Sequence, residues 1–174
     1  MKLLKEMIHP ELATRTGRIL RRHAARGIVL REQDQILLLF TERYNDFSLP
    51  GGGIGEDEDM ELALVRELEE ETGARDIQVK AHWGYIEEYR PYWKPDYDLM
   101  HMTSHFFVCD IAPELAEVRM ESYEVANGMR PVWVSIKAAL DHNLQVMSRQ
   151  EETMGLSIQR ETFILEKISR EIIF

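Results

Sequence analysis

Residues Gly52 to Ala74 read GGIGEDEDMELALVRELEEETGA. A glycine turn runs into a short helix that carries Arg66, Glu67, Glu70 and Glu71 near its end, and Gly73 stops it. On a helix, side chains three and four apart lie on one face, so Glu67, Glu70 and Glu71 converge. Met60, Ala63 and Leu64 precede them on nearly the same face. The stripe therefore begins as core and ends in acids, whereas a solvated face would be polar along its whole length. Clustered carboxylates repel one another unless a cation sits among them, and hard oxygen ligands suit Mg²⁺ or Mn²⁺. The competing reading is an acidic surface helix with Arg66 and Glu70 as an exposed pair.

The spacing decides between the two. Gly52, five residues, Glu58, seven residues, Arg66-Glu67-Leu68, one residue, Glu70-Glu71, one residue, then Gly73-Ala74 fills every fixed position of the Nudix box. The chain thus resembles the Nudix hydrolases, which cleave nucleoside diphosphates linked to another group. A pattern with this many fixed positions is far more specific than a lone glycine motif. The resemblance implies an α/β/α sandwich with a mixed β-sheet and a catalytic loop-helix-loop. It also implies metal-assisted attack of water on a phosphorus atom of a diphosphate. By the family pattern, Glu70 and Glu71 match metal-ligand positions, and Glu67 matches a ligand or general base. Arg66 would orient these carboxylates, Glu58 would support the loop or the outer ligands of the metal, and Gly51 or Gly52 would let a backbone carbonyl reach the ion.

The general base can also stand in a late loop. Glu121 and Glu124, in MESYEVANG, are the nearby acids of such a loop, so either is a candidate. Trp83, Tyr85, Tyr89, Tyr92, Trp93 and Tyr97 crowd a short stretch after the box. Aromatic faces can stack on a base, and Tyr85 and Tyr89 are the candidates here, although core or dimer packing accounts for most such rings. Within the family a proline or a tyrosine after the box marks a subclass, for ADP-ribose or dinucleoside polyphosphates respectively. Tyr89, Pro91 and Tyr92 all fall in that window, so the mark leaves both open.

Arg15, Arg18, Arg21, Arg22 and Arg26 form one basic cluster in an acidic chain. A solvated face or a pairing surface is the favoured reading, with phosphate binding, Arg26 above all, as the other. His101 and His105 share a strand face and read as satisfied core or cleft histidines rather than ligands. Cys109 lies in an apolar strand, where a thiolate is disfavoured.

The chain has 174 residues, 44% of them hydrophobic and 30% charged, which fits one globular domain over 1–174. Residues 1–23 read as a mixed leader. Strands are expected at 24–30, 36–40, 77–88, 99–111 and 130–134, and the box helix at about 57–72. Residues 48–53 read as a glycine loop. Ser135 caps a short helix to about His142, and a C-terminal helix occupies 148–174 with its core over 148–168. A single cysteine and no signal-peptide stretch point to the cytoplasm. The net charge of −10 argues against a nucleic-acid polymer or a membrane as partner. It also means that bound divalent metal must offset repulsion of an anionic substrate. A homodimer is favoured over a monomer, with the leader and the aromatic stretch as candidate interfaces.

The expected function is that of a Mg²⁺-dependent pyrophosphohydrolase acting on a small nucleotide, of nucleoside triphosphate type. ADP-ribose, nucleotide-sugar or dinucleoside polyphosphate hydrolysis is the first alternative. A nucleotide-binding regulatory domain without turnover is the second, and the intact set of acids counts against it.

Overall fold

The computed structural model describes residues 1–172 apart from residue 33. Among the described residues eight strands and four helices follow one another. They are β1 (Leu3–Ile8), β2 (Ile19–Arg31), β3 (Gln35–Thr41), β4 (Asp46–Ser48), β5 (Gly51–Gly53), α1 (Met60–Thr72), β6 (Gln78–Pro91), β7 (Leu99–Asp110), α2 (Ser122–Ala126), β8 (Met129–Ser135), α3 (Ile136–Arg149) and α4 (Ile158–Glu171).

The strands run in the order β1-β6-β7-β2-β3-β4, with β5 added to β2 and β8 to β3. β1 with β6 and β2 with β7 are parallel, and β6 with β7 and β2 with β3 antiparallel, so the sheet is mixed as expected. β7 stands between β6 and β2, at the centre. β2 pairs with β3 only at Leu30–Ile36 and Arg31–Gln35, then parts from it. Before that point it pairs with β5 through Ala24, Ala25 and Arg26, and this docks the glycine loop on the central strand.

Each face of the sheet carries its own core. On one face Ala63, Leu64 and Leu68 of α1 approach a floor that includes Ala25, Val29, Leu37, Phe107 and Cys109. A methyl added at Gly27 would stand 2.9 Å from Leu68 Cδ2, so the helix lies almost on the backbone of β2. On the other face Ile136 and Ala139 of α3, with Ile164, Leu165 and Ile168 of α4, pack with Ile28, Leu38, Ile86 and Phe106. Helices on both faces make the α/β/α sandwich that the strand order implied. Asn143 ties α3 to the sheet, since its Oδ1 accepts from Phe47 N–H and its Nδ2 donates to Phe47 O, both at 2.9 Å.

Several expectations need correction. The leader is not free of regular structure: Leu3–Ile8 adds a parallel strand to β6, and β2 already begins at Ile19. The glycine loop follows directly on the three-residue strand β4 and contains another, β5, and the late loop of Glu121 and Glu124 contains the short helix α2. The helix capped by Ser135 runs on to Arg149, and the terminal helix starts at Ile158 rather than 148. Glycine at 155 and the left-handed Gln150 (φ 49°) separate the two. Residues 173 and 174 of the expected C-terminal helix lie outside the described residues.

The end of α1 offers a test of the fold. Gly73 has φ 73° and donates its N–H to Glu69 O, and a methyl there would meet Ala116 O at 2.0 Å. Gly73→Ala should cost about 2 kcal/mol or more, read as a lowered Tm in thermal unfolding. An unchanged Tm would contradict this account of the cap.

Candidate active site

The box helix is placed by local capping. Asp59, extended at φ −63° and ψ 137°, accepts through Oδ1 from Glu61 N at 3.0 Å and Leu62 N at 3.1 Å. The apolar stripe then docks on the sheet, and the same stripe continues into Glu71, which is carried under the glycine loop. Its Oε2 accepts from Gly51 N–H at 2.6 Å, and the carboxylate is buried. Only glycine fits this loop position: φ is +135°, and a methyl would meet Ala25 O at 2.1 Å.

Arg66 gathers the other acids. Its Nε donates to Glu58 Oε1 at 2.9 Å, and one terminal nitrogen donates to Glu67 Oε1 at 2.7 Å and stands 3.5 Å from Glu70 Oε2. The other terminal nitrogen reaches Glu58 Oε2 at 3.1 Å. Glu58 also accepts from Gly55 N–H at 3.0 Å, so it clamps the loop to the helix. Gly52 makes room for Glu67: a methyl there would lie 2.5 Å from the carboxyl carbon.

The late segment closes the site from the other side. Glu124 is buried, and its Oε2 accepts from Glu121 N–H at 2.7 Å while Oε1 accepts from Tyr123 Oη at 3.1 Å. It is close enough for its charge to act on both Glu67 and Glu71. Glu121 lines the cleft beside it.

Burial and mutual repulsion dominate the electrostatics. Desolvation first, then the charges of Glu67 and Glu124, push the Glu71 carboxyl up to about 8 against the pull of Gly51 N–H. Desolvation likewise raises Glu67, with Glu70 and Glu124 adding to it. Glu58 goes the other way, to about 2, because Arg66 and the Gly55 N–H hydrogen-bond its charged form. A divalent cation would relieve the strain that raises Glu67 and Glu71. The donors are carboxylate and carbonyl oxygens, the chemistry that Mg²⁺ or Mn²⁺ takes. Among the described residues no three acidic or histidine side chains already converge on one ligand point, since Arg66 and Gly51 N–H hold these carboxylates instead. The donor set fits the ion in kind, and closing on it requires exchanging those partners.

The acids stand at the mouth of a cleft of about 590 Å³. Its walls include Arg26, Asp46, Arg90, Met102, Arg160 and Glu161. Of the residues read from sequence, Gly51, Gly52, Glu67, Glu71, Glu121, Glu124 and Arg26 line it. Glu58 and Arg66 reach it through the ion pairs just described, and Glu70 stands at its edge. Tyr85 and Tyr89 do not line it. They alternate with Glu88 and Arg90 along β6 and so face the opposite side of the sheet. There Tyr89 stacks on His101 at 4.4 Å and Tyr85 packs on His105 at 5.8 Å. Arg15, Arg18 and Arg21 also miss the cleft; they bond to Glu6, Asp98 and His101. Burial pushes the Cys109 thiol up to about 12, which suits a core residue.

Sequence reading missed the inner wall. Arg160 is buried and donates to Glu88 Oε2 at 2.6 Å and to Glu161 Oε1 at 3.0 and 2.7 Å, and Glu161 Oε2 accepts from Leu49 N–H at 2.9 Å. Asp46 is buried nearby, pushed up to about 6 by desolvation and by Glu161. The signal was present: Glu88 and Arg90 fall on the apolar-facing positions of β6 with Ile86, and Arg160 and Glu161 fall on the inner side of α4.

The profile of the NUDIX domain matches residues 20–154. A comparison with curated proteins finds no match. Among solved structures, a NUDIX hydrolase from Nitrosomonas europaea superposes with a TM-score of 0.55 at 14% identity, covering 86% of this chain and 90% of that one. The E. coli ORF135 protein gives 0.53 at 20% identity, covering 89% and 96%. At such identities the likeness concerns the fold, and the mixed sheet between helices is what they share. The profile match covers most of the chain, the box within it is complete, and the chain belongs to the NUDIX family.

Proposed function

We propose that the chain is a Mg²⁺-dependent pyrophosphohydrolase that cleaves a diphosphate linkage in a small nucleotide, of nucleoside triphosphate type. The observation that carries this reading is the meeting of Glu67, Glu71 and Glu124 beside Gly51 at the mouth of a cleft of about 590 Å³. That volume suits a nucleotide-sized ligand.

Glu67, Glu70, Glu71 and the Gly51 carbonyl would hold the metal, which when bound neutralises phosphate charge and acidifies water. The remaining work falls to the chain. Arg66 keeps Glu67 and Glu70 oriented through its three-way ion pair. Gly51 N–H fixes the rotamer of Glu71. Glu124, held by Glu121 N–H and Tyr123 Oη, is a fixed acceptor for the proton of the attacking water. Glu67 is the other acceptor within the cluster, and its raised pKa brings it closer to neutral pH. Product analysis separates the triphosphate reading from ADP-ribose or nucleotide-sugar hydrolysis: a nucleoside monophosphate with pyrophosphate, against AMP with a sugar phosphate.

Three outcomes are expected. A chromatographic product screen with Mg²⁺ across nucleoside triphosphates, ADP-ribose, nucleotide sugars and dinucleoside polyphosphates should give a strong hit. Glu71→Gln should lower that turnover by roughly a thousandfold with the fold retained; mutant turnover equal to that of the parent would sink the assignment. Glu124→Gln should slow kcat by about a hundredfold, and an unchanged rate would hand proton acceptance to Glu67.

A fourth outcome concerns stability. The pKa of Glu71 is raised on folding, so the folded chain holds a proton that the unfolded chain has released. Its contribution is complete at low pH and is lost as pH rises through about 8. From about pH 6.5 to 8.5, above the titration of Asp46 (about 6) and His105 (about 4), the Tm of metal-free protein should fall. Mg²⁺ should restore it most at the alkaline end, and Glu71→Gln should flatten the slope. A metal-free Tm that stays level or rises across this window would contradict the assignment.

A further inference from the structure

The inner wall of the cleft holds more guanidinium charge than it needs for folding. Arg26, Arg90 and Arg160 all line it, from β2, β6 and α4. Two carboxylates face them from the same side, Glu88 and Glu161, and both are taken by Arg160. Arg26 and Arg90 make no ion pair among the described residues, and the Nε of each is buried without a hydrogen-bond partner. Arg26 gives one terminal nitrogen to the carbonyls of Leu49 and Gly51 at the long distances of 3.4 and 3.3 Å. Burial lowers the pKa of both side chains, and the neighbouring charge of Arg160 lowers each further. Asp46, Glu67, Glu71 and Glu124 also border the cleft. The last three gather at the metal end, and Asp46 acts on the Glu161–Arg160 pair.

Both side chains are half-buried on the cleft wall, the carboxylates near them are engaged elsewhere, and a buried donor left without a partner is costly. The arrangement makes sense if an anion completes it. Arginine suits that role because its planar fork can bond two phosphate oxygens at once. Position matters as well. Arg26 is paired in register with Gly51, beside Glu71, and so adjoins the metal end. Arg90 stands near Glu88 and Arg160, and also borders a second hollow of about 410 Å³ beside Met7 and Tyr89. It stands farther along the cleft, reachable from both hollows.

We propose that Arg90, with Arg26, forms an anion subsite on the inner wall that holds a phosphate of the substrate lying beyond the linkage attacked at the metal end. This deepens the hydrolase reading and rests on it for the word substrate. It narrows the class to ligands with an anionic group outside the cleaved bond, either a third phosphate in the chain or a phosphate on the departing group.

The test is calorimetric titration of inorganic pyrophosphate into the full chain in EDTA, where no metal assists. Wild type should bind, Arg90→Gln should weaken binding by about tenfold or more, and Arg90→Lys should fall between. Lys137→Gln, an exposed cation of α3 outside both hollows, should bind as wild type does. Equal affinity in wild type and Arg90→Gln, or no binding by wild type, overturns the subsite. If Arg90→Gln does not fold, Arg90→Lys decides: binding weakened by about threefold supports the subsite, and unchanged binding overturns it. Mg²⁺-dependent turnover of the same samples is read separately. Arg90-dependent pyrophosphate binding without turnover would keep the subsite and remove the hydrolase reading.

Discussion

The 2.6 Å contact between Glu71 Oε2 and Gly51 N–H joins the two halves of the site. Glu71 comes from a helix that packs on one face of the sheet, and Gly51 from a loop pinned to the central part of β2. Neither half can move alone. The helix is held by Leu64 and Leu68 against the sheet, with Leu68 nearly touching the Gly27 backbone. The loop is held by β5 pairing and by the Arg66–Glu58 clamp. The cost of burying Glu71 is met by that packing, and the protein keeps a carboxyl pushed up to about 8 at the mouth of its cleft.

A division of charge follows from this geometry. The acidic end concentrates Glu67, Glu70, Glu71 and Glu124, and neighbouring charge adds to the burial that raises Glu67 and Glu71. The inner wall concentrates Arg26, Arg90 and Arg160. A chain of net charge −10 thus presents an anionic ligand with one acidic pole that calls for a cation and one basic pole that does not. The sheet connects them: Arg26 and Arg90 lie on the α4 face, while the acids arrive from the helix on the other face, over the edge that β5 and the loop provide.

What could be read from sequence was what is local. The box helix, its Gly73 cap and the Ser135 cap follow from short-range rules, and β3, β6, β7 and β8 from runs of apolar and β-branched residues. The strand Leu3–Ile8 escaped because its pattern is largely exposed and its partner, β6, lies some eighty residues away. The three-residue strand in the glycine loop is set by tertiary pairing, which no local pattern reports. The break between α3 and α4 was visible as Gly155, yet the apolar residues on either side concealed it. At the site, the spacing of the acids was legible because a helix converts spacing into proximity. The Arg160–Glu88–Glu161 network left only charges at core-facing positions as a signal, and its pairing joins two elements far apart in the chain. Tyr85 and Tyr89 fall outside the cleft for a simpler reason: in a strand, one residue of register decides which face a ring occupies.

The central claim is that Glu67, Glu70, Glu71 and the Gly51 carbonyl receive a divalent cation when Arg66 and Gly51 N–H release their hold. Crystals grown with Mn²⁺ and measured at the manganese absorption edge test it most directly. The account predicts an anomalous peak among those four groups, with the Glu71 carboxylate turned away from Gly51 N–H to meet it. A peak elsewhere in the molecule, with the 2.6 Å contact intact and no ion beside Glu71, would contradict it.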